Sequence, residues 1–324
     1  MAGGEMSESY WPQVDIIAPC RNSVRYLPQM IESVLHQDYP KVKLFIQDGG
    51  STDGTIDILN RYPIRWASEA DNGISQALNR AIRATEGEII GFTSTDDLVR
   101  PGAVTAAVEA FKRNPEVVMV YGDCYLIDQM GRIFNLLKSR SFDLDVLFWG
   151  NYIPYQSVYV RRQAICELGG YDESLKLAQD WDMWIRLGAR YPERCFKYIR
   201  RTQGSYRFVY DSARWRNLAE AANCHYKAMS RFFNDSEKAA RLRDKKKALG
   251  SSLLWLSVLH VLAGQKSLAC RRYFRAVLIY PRLLLTRNGV LGLVRIVAGV
   301  RFWRVYKKVQ HAIGLTKFAG LQDA

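Results

Sequence analysis

No CxxC pair occurs among the six cysteines, Cys20, Cys124, Cys166, Cys195, Cys224 and Cys270, and the four histidines show no metal-ligand spacing. That pattern argues against a zinc module and predicts reduced, mostly buried thiols in a cytosolic protein. Nowhere do 18 or more apolar residues run uninterrupted, which argues against a membrane-spanning helix. The opening "MAGGEMSESYWPQ" lacks the basic segment and apolar core of a signal peptide, so residues 1–12 read as a tail. There is no Walker motif, and "DGGSTDGT" (48–55) carries Gly49, Gly50 and Gly54 at the wrong spacing for GxGxxG. A P-loop ATPase and a standard dinucleotide-binding dehydrogenase are therefore poorly supported. Acids are the last scarcity. From residue 236 onward, 18 Lys and Arg meet only Glu237, Asp244 and Asp323, a local net of +15 in a chain of net +14. The preceding residues are close to neutral, and the asymmetry marks a boundary.

What is present is strict alternation. "VDIIAP", "VKLFIQD", "IRWAS", "EIIGFTS" and "VVMVYGD" are short, rich in β-branched residues and bounded by turn chemistry, which predicts strands. Between them "RYLPQMIESVLHQ", "DGTIDILNRY", "ISQALNRAIRAT" and "PGAVTAAVEAFKRN" have helical spacing. Such alternation predicts an α/β protein with a mostly parallel central sheet, whose ligand lies beyond the carboxyl ends of the strands. Residues 123–210 mix short strands ("SVYVRR", "CFKYIRR", "GSYRFVY") with two helices. In "QDWDMWIRLGARY", Trp181, Trp184, Ile185 and Gly188 form the buried stripe and Asp180 falls at the helix entrance. Further on, "SLLWLSVLHVLAG" and "SLACRRYFRAVLIYPRLLL" predict a helical hairpin closed by Pro281.

One stretch poses a chemical question. "EIIGFTSTDDLVRPG" runs an apolar strand into Asp96 and Asp97, two like charges that raise each other's pKa out of water unless a cation or hydrogen-bond donors compensate. Asp48 likewise ends a strand, before a Gly-rich turn and a helix whose first turn carries Asp53 and Thr55. Taken alone, that turn is equally an ordinary N-capped turn.

In combination, "VDIIAPCRN", "LFIQDGGSTDGT", "SEADNGISQALNRAI", "GEIIGFTSTDDLVRPGA" and "GGYDESLKLAQDWDMWIRLG" closely resemble the family 2 glycosyltransferases of the GT-A fold over residues 12–210. The resemblance implies a GT-A domain over 13–215, with a donor-binding half at 13–122 and an acceptor-binding half at 123–215, followed by a basic helical region over 216–324. It implies a nucleotide-diphosphate sugar donor and a divalent metal, Mn2+ or Mg2+, coordinated by Asp97, with Asp96 at the ribose or in the metal shell. It carries the catalytic base onto Asp180, although Gln179 stands where the family has Glu; Asp182 is the rival. Donor contacts are implied at Pro19, Arg21, Asn22, Asp48, Asp71, Gly73, Gln76 and Asn79, the last two fitting equally well as polar residues of a helix surface. Arg207, in "YRFVYDSARW", is the candidate diphosphate partner, and Arg161 and Arg162 either share that task or begin the next helix. The family ordinarily has a second acid where this chain has Gly49, so the resemblance does not fix the base as uracil.

The tail "VLGLVRIVAGVRFWRVYKKVQHAIG" interleaves cations with apolar residues, which suits a helix in a membrane interface, or an amphipathic helix packed on the body. The expectation is a peripheral protein on the inner face of the cytoplasmic membrane, held through 283–324, acting on a glycan or polyprenyl-linked glycan and on no specific nucleic acid. Two other readings stand beside it. One is a sugar nucleotidyltransferase, which the missing glycine cluster in "APCRNSVRYLPQ" disfavours; the other is a non-catalytic protein with a lipid- or nucleic-acid-binding tail.

Overall fold

The structure, a computed structural model, describes residues 11–208 and 217–297. The chain forms two compact units: Met1–Ser139 with Ile153–Tyr171 and Arg194–Phe208, and Arg140–Tyr152 with Asp172–Glu193 and Val209–Ala324.

The first unit is built on a nine-stranded sheet: β1 (Val14–Cys20), β2 (Val42–Asp48), β3 (Arg65–Ser68), β4 (Ile89–Phe92), β5 (Leu98–Val99), β6 (Met119–Ile127), β7 (Ile133–Leu137), β8 (Val158–Arg161) and β9 (Phe196–Arg207). Their order is β3-β2-β1-β4-β8-β6-β9-β5, with β7 on β6. Strands β3, β2, β1 and β4 run parallel, as does β9 beside β6, and most registered residue pairs of the sheet are parallel. Strand β8 enters antiparallel between β4 and β6. The predicted helices lie at Leu27–Leu35, Thr55–Leu59, Ile74–Ala84 and Ala103–Arg113. Strand β1 is buried along nearly its whole length, as a strand covered on both faces must be. Val14, Ile16 and Ala18 of β1 share a core with Leu27, Met30, Ile31 and Val34 of the first helix and Val104, Ala107, Val108 and Phe111 of the fourth.

Strand β9 departs from the sequence reading, which broke it into two. Gly204 and the polar Thr202 and Gln203 look like a turn, but parallel pairing with β6 carries the strand through them. The register shifts around Asp123 absorb the irregularity as a bulge.

The second unit is helical. Its helices are Leu144–Leu147, Gln179–Arg190, Leu218–Asn234, Ser236–Ala239, Lys245–Leu262 and Lys266–Ile279, followed by a 3-10 turn at Pro281–Leu285 and helical residues 287–297. The hairpin is present and Pro281 follows its second member. The predicted stripe is buried: Trp181 and Trp184 are among the largest fully enclosed side chains. Around Trp181, the rings of Phe148 and His225 lie at centroid distances of 5.8 and 5.0 Å, and His225 meets Trp255 at 4.4 Å. The indole N–H of Trp181 donates to the Leu147 carbonyl at 2.8 Å, so burial leaves its polar atom satisfied.

Candidate active site

In the sheet unit, three loops gather at the carboxyl ends of the parallel strands. Register aligns Cys20 with Asp48 and Asp48 with Ser68, so β1, β2 and β3 end together. Short polar side chains then lace the loops. The Asn22 carboxamide accepts from the Thr52 N–H at 2.9 Å, and the Asn22 N–H donates to the Ser51 hydroxyl at 2.7 Å. Thr55 accepts from the Ser23 N–H at 2.8 Å and donates to Asp53 at 2.5 Å. The Ser23 and Thr95 hydroxyls lie 2.7 Å apart, which ties the first loop to the carboxylate motif after β4. Pro19, Arg21, Asn22, Asp48 and the motif are thus brought to one end of the sheet.

Asp48 is fully buried. Its Oδ2 accepts from the Gly50 and Ser51 N–H groups at 2.9 and 3.0 Å and from the Ser68 hydroxyl at 2.6 Å, and its Oδ1 accepts from the Ser51 hydroxyl. Burial pushes this carboxyl up, but those bonds outweigh it and the net direction is down. Asp48 therefore stays ionised and organises the loop.

The neighbouring acids after β4 have divided their roles. Asp97 is 1% exposed. Its Oδ1 accepts from the Arg207 N–H at 2.8 Å and its Oδ2 from the Gln156 side-chain amide at 2.5 Å. Burial nevertheless pushes its carboxyl up to about 7, opposed by those donors and aggravated by Asp96. Asp96 is only partly buried and its carboxylate has no hydrogen bond among the described residues. Burial pushes it up too, countered by the Arg207 guanidinium. The two acids sit in a turn, the Asp97 N–H donating to the Ser94 carbonyl at 3.0 Å, and there one residue is enclosed while the other is partly exposed.

Arg207, expected over the diphosphate, is found instead bracing this motif. It is 2% exposed, and its Nε donates to the Asp96 carbonyl at 2.8 Å. Nη1 donates to the carbonyls of Asp128 and Gln129, Nη2 to the Gln29 carboxamide at 2.8 Å, and the guanidinium lies 4.3 Å from the Tyr26 ring centroid. The rest of its loop, 209–216, lies outside the described residues.

Asn79 is also committed locally. Its amide donates to the Tyr171 carbonyl at 2.9 Å and its carbonyl accepts from the Tyr171 N–H at 2.8 Å. Gln76 accepts from the Asn72 N–H at 3.0 Å, and Asp71 from the Gly73 N–H at 2.9 Å. Arg162 begins the helix Arg162–Glu167 and bonds Gly87, Ile82, Thr85 and Asp15 at the amino ends of β1 and β4. Arg161 bonds the carbonyls of Val117 and Pro115. Both arginines are structural.

In the helical unit, Asp180 sits in the first turn of Gln179–Arg190 and is partly exposed, its Oδ2 accepting from the Asn151 amide at 2.8 Å. Asp182 is buried and paired with Arg186 at 2.8 Å, one turn further along the same helix. Burial raises its carboxyl, and Arg186 and Lys238 oppose the rise. Of the two acids, Asp180 has the accessible carboxylate.

Gln156, Gln29, Tyr26 and Asn151 carry no sequence signal of their own; only the pairing of distant strands and loops reveals them. Among the described residues, no group of three or more His, Cys, Asp or Glu could hold a metal ion. The donor set present, an open Asp96 beside a locked Asp97, still fits a hard divalent cation of the kind bound through one or two carboxylates plus substrate phosphates.

With this geometry in hand, the relatives agree. The profile of glycosyl transferase family 2 matches residues 15–165. A PGL/p-HBAD biosynthesis glycosyltransferase of Mycobacterium tuberculosis is 31% identical over 182 residues, spanning 54% of this chain and 69% of its own. Chondroitin synthase of Escherichia coli is 29% identical over 198 residues, covering 58% of this chain and 28% of that one. Among solved structures, Staphylococcus aureus TarS 1–349 in complex with UDP-GlcNAc superposes with a TM-score of 0.59 at 14% identity, over 83% of this chain and 92% of that one. The mannosyltransferase PcManGT of Pyrobaculum calidifontis, in complex with GDP-Man and Mn2+, gives 0.54 at 19%, over 89% and 88%. The chain belongs to glycosyl transferase family 2, and its fold is that of the GT-A glycosyltransferases.

Proposed function

We propose that this glycosyltransferase moves a sugar, with inversion, from a nucleotide-diphosphate donor to a hydroxyl of a glycan or polyprenyl-linked glycan. The observation that carries the reading is the division of labour at the end of β4, where Asp97 is locked by Gln156 and Arg207 while Asp96 keeps an open carboxylate. Asp96 with Asp97 would hold a divalent cation, Mn2+ or Mg2+, which would supply positive charge beside the donor's diphosphate. The binding of GDP-Man with Mn2+ by PcManGT and of UDP-GlcNAc by TarS supports the donor class.

The chain's own groups do the rest. Arg207 and Gln156 position the carboxylate pair, and the laced loops after β1 and β2 present Pro19, Arg21 and Asn22 to the donor. Asp180, oriented by Asn151, accepts the proton of the acceptor hydroxyl as its oxygen bonds to the anomeric carbon and the bond to the diphosphate breaks. A base acting opposite the leaving group inverts the anomeric centre. Incubation with UDP-, GDP- and dTDP-sugars in Mn2+ or Mg2+ is expected to give metal-dependent turnover of one donor class and a product of inverted configuration. A product of retained configuration removes the base role from Asp180, and no donor turnover in any metal removes the reading itself.

The working location is the inner face of the cytoplasmic membrane. Among the described residues no helix is long and apolar enough to cross a membrane. Leu284, Leu285, Val290, Leu293, Val294 and Val297 are exposed beside Arg282 and Arg287, and no acid occurs from 245 to 322. Exposed apolar side chains in a stretch with many cations and no acids favour an anionic lipid surface; residues 298–324 lie outside the described residues. Removing 283–324 is expected to abolish salt-sensitive recovery with anionic vesicles, and unchanged recovery refutes the anchoring.

A further inference from the structure

The glycine at position 49, where a second acid was expected, has a spatial explanation. Gly49 is absent from the residues with positive φ, so its backbone does not demand glycine. Space does. A Cβ built on Gly49 overlaps the Oδ2 of Asp71 and lies 3.0 Å from its Cγ. The carboxylate of Asp71, from the loop after β3, thus lies against the main chain at the carboxyl end of β2, where a side chain at 49 would begin.

Its availability contrasts with that of Asp48. Asp48 is fully buried and its two oxygens already accept four hydrogen bonds. Asp71 is partly exposed, its Oδ1 accepts from the Gly73 N–H, and its Oδ2 has no hydrogen-bond partner among the described residues. Open α/β sheets take their ligands beyond these strand ends, and an ionised carboxylate only accepts hydrogen bonds.

The geometry points to Asp71 as the residue that reads the nucleobase of the donor, taking the place left by Gly49. The inference rests on the nucleotide-sugar reading above and narrows it. A carboxylate pairs with a ring N–H, which guanine, uracil and thymine offer on their pairing edge. Adenine and cytosine place there an acceptor ring nitrogen beside an exocyclic amino donor, so a carboxylate gains one contact from the amino group and meets repulsion at the ring nitrogen. The donor is therefore a nucleoside diphosphate whose base carries a ring N–H.

Calorimetric titration of the full chain with UDP, GDP, dTDP, ADP and CDP in Mg2+ tests this. One of the first three is expected to bind at least ~10-fold more tightly than ADP or CDP, the scale of a good base-edge contact. Asp71→Asn, which substitutes an N–H for one acceptor, is expected to reduce that ratio about tenfold. In the ratio, any general loss of folded protein cancels. Gly49→Asp alone is expected to clash and to weaken binding, whereas Gly49→Asp combined with Asp71→Ala restores both binding and base preference. Wild-type protein that binds no nucleotide overturns the donor reading. Wild-type protein that binds, with a base preference unchanged by Asp71→Asn, overturns the role of Asp71 and leaves the donor reading standing. Failure of the double variant to regain the preference overturns the equivalence of the two positions.

Discussion

Each compact unit carries a close pair of acids, and in each pair one residue is buried and the other partly exposed. In the sheet unit the pair is Asp96 and Asp97, adjacent residues of the turn between β4 and β5. In the helical unit it is Asp180 and Asp182, two apart on a helix. The backbone differs as well: the sheet unit parts its two acids at adjacent residues of a turn, whereas a helix turns about 200° over two residues. The same division of labour is thus written with two different intervals, and the interval is interpretable only once the secondary structure is known.

The comparison breaks most visibly at Asp96. Asp96→Asn is expected to lower donor turnover by about 10³-fold, the scale of losing a main electrostatic group at a transition state, with the thermal midpoint nearly unchanged. Wild-type turnover in this variant would put the open carboxylate outside the chemistry. Asp180→Asn is expected to lower kcat by ~10²- to 10⁴-fold while nucleotide affinity stays within error, as befits a lost general base. Equal losses from Asp180→Asn and Asp182→Asn at equal stability would erase the distinction between the two helical acids.

The locked members are expected to fail differently. In Asp97→Asn one oxygen still accepts from the Arg207 N–H, but the new amide meets the Gln156 amide, donor against donor. A cost of about 1–3 kcal/mol, the scale for an unsatisfied buried polar group, is expected in chemical denaturation. A smaller effect belongs to the helical unit alone. His260 is buried, with Nδ1 2.8 Å from the Gln265 carboxamide, and burial holds its pKa below 6.5. The unfolded chain then binds the proton first as pH falls, so this contribution to stability is present above 6.5 and is lost as pH drops below it. Thermal midpoints of wild type and His260→Gln are expected to converge on acidification, and parallel profiles would contradict it.

The sheet of the first unit was legible because alternating apolar runs and amphipathic segments fix β1 to β4 and their helices locally. Strand β9 was not, since Gly204 reads as a break and only β6 shows that the strand continues. The acids at the site were legible as types, through motif resemblance, but their states were not. Gln156 stands 59 residues from Asp97, Arg207 110 residues from it, and Asn151 29 residues from Asp180. Contacts over such separations are products of topology. Arg207 illustrates the limit: its charge and position suggested a phosphate ligand, and the fold spends it on carbonyls and Gln29.

The close approach at Gly49 also couples two positions of the chain. A side chain at position 49 has to displace the Asp71 carboxylate from its place, so a change at one position is felt at the other. Twenty-two residues apart in sequence, the two sites share one small volume.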